Sequence, residues 1–246
     1  MHAITRVRHE LKRRQLVVRS VEPVTPLMLR VVFSGDDLAD FTSLGPDDHV
    51  KMFFPVAGGD PAMRDFTPRA FDPVARTLTI DFALHDAGPA SDWAKAARPG
   101  DGLMVGGPRG SLVVAPDFDW WLLIGDEAAL PAMGRRVTEL PAGIPVTTLA
   151  CVSGPAEEQR FDGACCLESL WVHRPLASAD NPRALLSALR ALPWPSGDGF
   201  VWIAAEAKVA RALREHVLSE RGHPPAWLKA SGYWVKGVAD GRETFD

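Results

Sequence analysis

Cysteine is scarce: Cys151, Cys165 and Cys166 are the only three in 246 residues. An odd number, two of them adjacent and none in a Cys-x-x-Cys pair, excludes a disulfide framework and leaves no spacing for zinc or an iron–sulfur cluster. They are expected to be buried, reduced thiols, as in a cytoplasmic protein. No apolar run approaches the roughly 20 residues of a membrane span. The basic N-terminal stretch (Arg6, Arg8, Lys12, Arg13, Arg14) is not followed by the apolar segment of a signal peptide. Charge of one sign is also lacking. With 27 Lys and Arg against 31 Asp and Glu, the formal net charge is −4, and nothing favours non-specific nucleic-acid binding. No internal repeat is visible, and no Asp/Glu/His cluster has metal-binding spacing. What remains is 46% hydrophobic and 24% charged, the balance of a globular protein. The length suits two domains of ordinary size, and a monomer is expected.

The first half reads as strands. Gln15 to Val21 is β-branched, and Pro23 and Pro26 are expected to break it. Leu27 to Phe33 is a second apolar run. Val50, Met52 and Phe54 share one face of a strand; His49, Lys51 and Phe53 share the other. Leu78, Ile80, Phe82 and Leu84 alternate with Thr79, Asp81, Ala83 and His85. Short strands separated by Pro, Gly and Asp, with almost no helix, predict a small antiparallel β-barrel over 1–116. One helix interrupts it, opened by Gly88-Pro89-Ala90-Ser91 and stopped before Pro99-Gly100. Its small-residue start presents free backbone N–H groups, a ready place for phosphate. Trp93 on this helix suits the core equally well.

From Asp117 the pattern changes. Trp120 to Ile124 and Phe200 to Ala205 are apolar on both faces, and Ile144 to Val152 and Leu167 to Val172 are strand-like. Helical stretches run to about Leu140, from Pro182 to Leu192, and from Lys208 to Arg221 with Gly222 as the stop. Alternation of such strands with helices predicts a Rossmann-like α/β domain with a parallel sheet over 117–246. Ligands of such sheets bind at the carboxyl ends of the strands, which here are Gly125-Asp126-Glu127 and Ala205-Glu206.

Between the barrel strands lies Arg64-Asp65-Phe66-Thr67-Pro68-Arg69. Two arginines and a threonine around one aromatic are hard to explain as core. The guanidinium groups suit an anion, Phe66 a flat ring, and Thr67 a hydrogen bond to that ring's edge.

An R-x-aromatic-T-x-R stretch, a G-x-x-S helix start and a nucleotide-binding α/β domain, in that order, resemble the ferredoxin–NADP reductase superfamily. Within it the chain closely resembles the siderophore-interacting protein family of flavin-dependent ferric-siderophore reductases. The matching stretches include VEPVTPLMLRVVF (Val21 to Phe33), DDHVKMFFP (Asp47 to Pro55), RDFTPRAFDP (Arg64 to Pro73), and DFALHDAGPASDWA (Asp81 to Ala94). PGDGLMVGGPRGS (Pro99 to Ser111), WLLIGDEAALPA (Trp121 to Ala132), WIAAEA (Trp202 to Ala207) and GYWVKG (Gly232 to Gly237) complete the set.

The resemblance implies FAD, held by Arg64, Phe66, Thr67 and Arg69, with Thr67 nearest the reacting ring. Gly88, Ala90 and Ser91 would complete the pyrophosphate site, with His85 toward the adenine or ribose. Gly125, Asp126, Glu127, Ala205 and Glu206 would form the NAD(P)H loop, with NADPH and NADH both open as donors. Arg135, Arg136 and Ser153 are candidates for a 2′-phosphate, with solvated surface as the plainer account of each. Lys51, Arg109 and Lys236 would receive an anionic ferric siderophore. No protein-held metal is implied. The chain departs from the family at Phe66, where tyrosine is usual, and at Ala205, where glycine is usual. Two alternatives remain: a flavin reductase or diaphorase of the same superfamily, and a non-catalytic binder of flavin or siderophore.

Overall fold

The computed structural model describes residues 2–84 and 88–245, so the expectation for His85 falls outside the described residues. The chain divides into two units, Met1–Ala115 and Pro116–Asp246.

The first unit is built from β1 (Ile4–Arg8), β2 (Arg13–Thr25), β3 (Met28–Ser34), β4 (Val50–Phe54), β5 (Ala62–Phe66), β6 (Pro68–Asp72) and β7 (Thr77–Ala83). Then come α1 (Pro89–Ala96), β8 (Gly102–Gly106) and β9 (Gly110–Val114). Seven of the strands form one antiparallel sheet in the order β5-β4-β8-β2-β3-β7-β6, while β1 pairs with β9. Consecutive β5 and β6 are therefore the two outer strands, separated in the chain by Thr67 alone. A single residue spans only about 3.5 Å, so the sheet must curl until its edges meet. This is a half-barrel with RDFTPR as its seam. The period-two pattern holds: Val50, Met52, Phe54, Leu78, Ile80 and Phe82 are all at most 1% exposed, and Leu84 joins them in the core. Each large apolar side chain so buried contributes about 1.5–3 kcal/mol. Trp93 belongs to this core, with its ring 5.7 Å from Phe54 and 5.8 Å from Phe82.

One local expectation fails here. Pro23 does not end β2, which runs on to Thr25; the ladder absorbs it with a register shift between Pro23 and Thr25, where a missing N–H is tolerated. The strands β5 and β6 have no clean alternation, because they carry the polar seam and only Pro68 among their residues is buried.

The second unit contains β10 (Trp120–Asp126), α2 (Leu130–Glu139), β11 (Pro145–Val152), β12 (Cys166–His173), α3 (Arg183–Ala191), β13 (Gly199–Glu206), α4 (Ala207–Glu215), β14 (Leu228–Trp234) and β15 (Glu243–Thr244). The sheet order is β12-β11-β10-β13-β14-β15. Five strands are parallel; β15 adds an antiparallel edge. Every residue of β10 and β13 is buried, as their unbroken apolar runs require. The helix expected to reach Arg221 is regular only to Glu215 and widens into a π-helical turn over His216–Glu220. Gly222 follows at φ 64°, the left-handed stop expected of it. The cysteines are not uniformly buried: Cys151 is, Cys165 is partly so, and Cys166 is exposed. Adjacent residues of an extended chain face opposite ways, so only one of the pair can turn inward. Among the described residues, no helix is long and apolar enough to cross a membrane.

Candidate functional site

The seam of the half-barrel brings four of the anticipated residues together. Arg64 faces Met52 across the β4–β5 ladder, and its Nη1 donates to the neighbouring Met63 carbonyl at 2.7 Å. Phe66 is half-buried, its ring 4.5 Å from Phe82 and 5.9 Å from Phe54, so one side of it is already in contact with the core. Thr67 is only 8% exposed, yet its hydroxyl makes no hydrogen bond to a described residue. Arg69 comes within 4.0 Å of Asp81, a buried carboxylate that Arg30 grips bidentately at 2.7 and 2.8 Å. Arg30 was not anticipated: it lies 51 residues from Asp81, on the opposite strand of the β3–β7 ladder.

Nearby, Gly88 caps α1 with φ 152°, a conformation that favours glycine, and a Cβ built there would meet nothing within 4 Å. Among the described residues no side chain caps the helix, so its first-turn N–H groups lack a capping acceptor, and Asp92 is the acid of that turn. Ser91 is buried in that turn and Ala90 packs against the core. The Arg64 guanidinium, the Thr67 hydroxyl, which has no hydrogen-bond partner among the described residues, and this helix start suit a ligand with a polar ring edge and phosphates. A cavity of about 300 Å³ elsewhere in this unit does not. Two of its cations, Lys12 and Arg14, are already bound to Asp40 at 2.6 and 2.8 Å.

The second unit's anticipated residues are arranged differently. Gly125 is needed for packing: a Cβ there would lie 2.3 Å from that of Ala129, where the chain folds back into α2. Asp126 is 2% exposed, and its carboxylate accepts from Ala128 N (3.0 Å), Glu206 N (2.8 Å) and the Trp234 indole (2.9 Å). Burial first, and then the neighbouring Glu127, push its carboxyl up to about 6. Glu127 is locked to Arg174 by two bonds of 3.0 and 2.6 Å. Glu206 is fully buried; one oxygen caps α4 through Lys208 N (2.7 Å) and Val209 N (3.4 Å), and the other receives Lys236 N (3.3 Å). Ala205 is fully buried within the core cluster of β10, β13 and α4. Burial raises the Cys151 thiol to about 12. Arg135 is not solvated surface: it is 4% exposed and paired with Glu139 at 2.7 Å. Arg136 lies 4.7 Å over the Trp121 ring.

The three anticipated substrate cations fall in both units. Lys51, on the outward face of β4, is 2.8 Å from Asp65. Arg109 is exposed, and its side chain has no partner among the described residues. Lys236 binds Asp180 at 2.7 Å. Asp180, Arg174 and Trp234 had no individual signal, since each is recognisable only from a partner 47 to 108 residues away.

The profile of the siderophore-interacting FAD-binding domain matches residues 17–62 and 56–112, and that of the siderophore-interacting protein matches 118–237. This chain belongs to the siderophore-interacting protein family. It is 35% identical to the NADPH-dependent ferric-chelate reductase of Escherichia coli K12, over 93% of this chain and 95% of that one. The ferric vibriobactin reductase ViuB of Vibrio cholerae is 26% identical over 87% and 86% of the respective lengths. The crystal structure of a siderophore utilization protein from T. fusca superposes with a TM-score of 0.89, at 38% identity and 99% coverage of both chains. The half-barrel followed by a mixed-sheet unit is thus the fold of the family.

Proposed function

We propose that this protein uses NAD(P)H and FAD to reduce ferric iron within a siderophore and so release it. The observation that carries the reading is the seam: among the described residues, Arg64 and Thr67 present donors with little or no internal use, beside a helix start with no side-chain cap, in the unit matched by the FAD-binding profile. Arg64 and Arg69 hold the cofactor's phosphates with the α1 N-terminus, and Thr67 hydrogen-bonds the edge of the isoalloxazine. Phe66 offers an aromatic face to it. Bound FAD supplies the conversion of a two-electron donor into single-electron steps. Gly88 leaves room at the start of α1, and Ser91 lines its first turn. The loop Gly125 to Glu127 and the Ala205-Glu206 strand end frame the nicotinamide nucleotide. Lys51, Arg109 and Lys236 draw in the anionic chelate, although the protein as a whole is acidic. Ferric iron prefers hard oxygen ligands far more than ferrous iron does, so reduction loosens the complex. On this reading the protein works as a cytoplasmic monomer, the chain carrying both a flavin unit and a nucleotide unit.

The test is direct. The purified protein should show a flavin absorption band, and NADPH or NADH should bleach it in stopped flow. Adding a ferric siderophore with a ferrous-specific dye should restore the band and develop the ferrous colour. Bleaching without chelate reduction, but with turnover of free FMN, makes the protein a flavin reductase. No bleaching with either donor makes it a binder.

A further inference from the structure

Lys236 stands on a short turn that three carboxylates hold. Trp234, at the end of β14, gives its indole N–H to Asp126 Oδ2 at 2.9 Å, reaching across β13 to do so. The same oxygen receives Glu206 N at 2.8 Å. Glu206 in turn accepts the backbone N–H of Lys236 at 3.3 Å. The turn closes on itself through a bridge between Val235 and Val238, with Gly237 at φ 79°. The backbone on either side of Lys236 is therefore tied to the sheet, while its ammonium rests on Asp180 at 2.7 Å and on the Ala177 carbonyl. Asp180 also lies 3.4 Å from Lys208.

We propose that Asp126 is a positioning residue for Lys236, acting through the Trp234 indole and the Glu206 backbone, and that Asp180 is the resident counter-ion which an anionic ferric chelate displaces. The inference rests on the reading of Lys236 as a substrate cation. The two carboxylates act in opposite directions. Asp126 fixes where the ammonium starts from and favours chelate binding. Asp180 competes for the same ammonium and opposes it.

The groups around Asp126 set its pH response. Burial and then Glu127 raise its carboxyl, while Trp234, Glu206 N and Arg174 favour the ionised form. Cys151, facing from β11, stays a neutral thiol. Asp180 is held below the usual carboxylate range, chiefly by its bond from Lys236, and remains ionised throughout. Protonating Asp126 removes acceptor capacity from a carboxylate that serves three donors, so the grip on Trp234 loosens as pH falls through about 6.

The experiment measures equilibrium binding of ferric tris(catecholate) to the FAD-loaded full chain by tryptophan quenching. Reduction of the same chelate is followed separately. Loosening the turn by one hydrogen bond should cost Asp126→Asn about fivefold in chelate affinity at pH 7.5. Trp234→Phe, which keeps Asp126 intact, should reproduce the loss. Asp180→Asn should bind about threefold more tightly, through removal of a competing charge. The ratio of wild-type to Asp126→Asn affinity cancels the chelate's own protonation and should fall toward unity by pH 5.5. Unchanged affinity in both Asp126→Asn and Trp234→Phe, a ratio independent of pH, or weaker binding by Asp180→Asn overturns the proposal. A wild-type protein that binds the chelate without reducing it sinks the reductase reading alone, and the variant comparison still decides the positioning role.

Discussion

The seam of the half-barrel and the carboxyl edge of the parallel sheet were marked out in the sequence by the same kind of evidence, short polar stretches at strand ends. They turn out to be opposites. At the seam, Arg64 is bonded only to its neighbour's carbonyl and Thr67 has no internal hydrogen-bond partner among the described residues. At the sheet edge, Asp126, Glu127 and Glu206 have their carboxylates taken up by Trp234, Arg174 and the first turn of α4. A group that meets a ligand should be underused by the protein. A group that is saturated internally instead fixes the shape of what surrounds it. The carboxylate pair of the expected NAD(P)H loop is of the second kind: both members turn into the unit.

The comparison can be broken most forcefully at Glu127. Replacing Arg174 with Met leaves a buried carboxylate without its partner, and global stability in urea should drop by about 3–5 kcal/mol. A loss within experimental error would mean that this edge is not the saturated network described. Next comes Asp126. Its folded-state carboxyl is raised to about 6 from 3.8, so the native state holds its proton more tightly than the unfolded chain. The stability this provides is complete below pH 4 and is lost as pH rises through 6. Asp126→Asn should therefore gain on wild type by about 2 kcal/mol between pH 4 and pH 7.5, measured by denaturation at each pH. A gain on acidification instead would reverse the sign and refute the burial argument.

At the seam the expected changes are in binding and leave stability alone. Arg64→Ala should weaken FAD by about 10- to 100-fold, the value of a charge-assisted hydrogen bond, with the melting temperature of the apoprotein unchanged. A fall in melting temperature would make Arg64 structural and erase the contrast. The smallest effect is at Phe66. Phe66→Tyr restores a hydroxyl worth about 0.5–1.5 kcal/mol and should tighten flavin retention. No change in FAD titration would mean that its ring edge, packed near Phe82, has no polar neighbour in the complex.

How much of this was legible in the sequence follows from what kind of contact each feature needs. The strands β10 and β13 were plain because burial on both faces leaves an unbroken apolar run. Strand β7 was plain because one buried face imposes alternation. By contrast, β14 (LKASGYW) carries lysine, serine and glycine, and becomes a strand by pairing with β13 and β15. Arg64 and Thr67 stood out by residue type. Arg30 with Asp81 and Arg174 with Glu127 were invisible, since neither residue of either pair marks the other, 51 and 47 positions away. Saturation of a polar group is a property of the folded chain, which is why the sequence located both strand-end stretches and could not tell binder from scaffold.

Thr67 has a further consequence, for how the family can vary. It is the single residue between two strands at opposite ends of the seven-stranded sheet, and among the described residues no ladder joins those strands directly. Chain continuity and the packing of Phe66 on Phe82, with no ladder, carry the closure there. Insertions of chain are tolerated where a loop has slack, as between Pro55 and Pro61, whose residues are exposed. One extra residue at position 67 would let the two edges drift apart and carry Arg64 and Arg69 with them. Length, more than residue identity, is what this point of the chain has to keep.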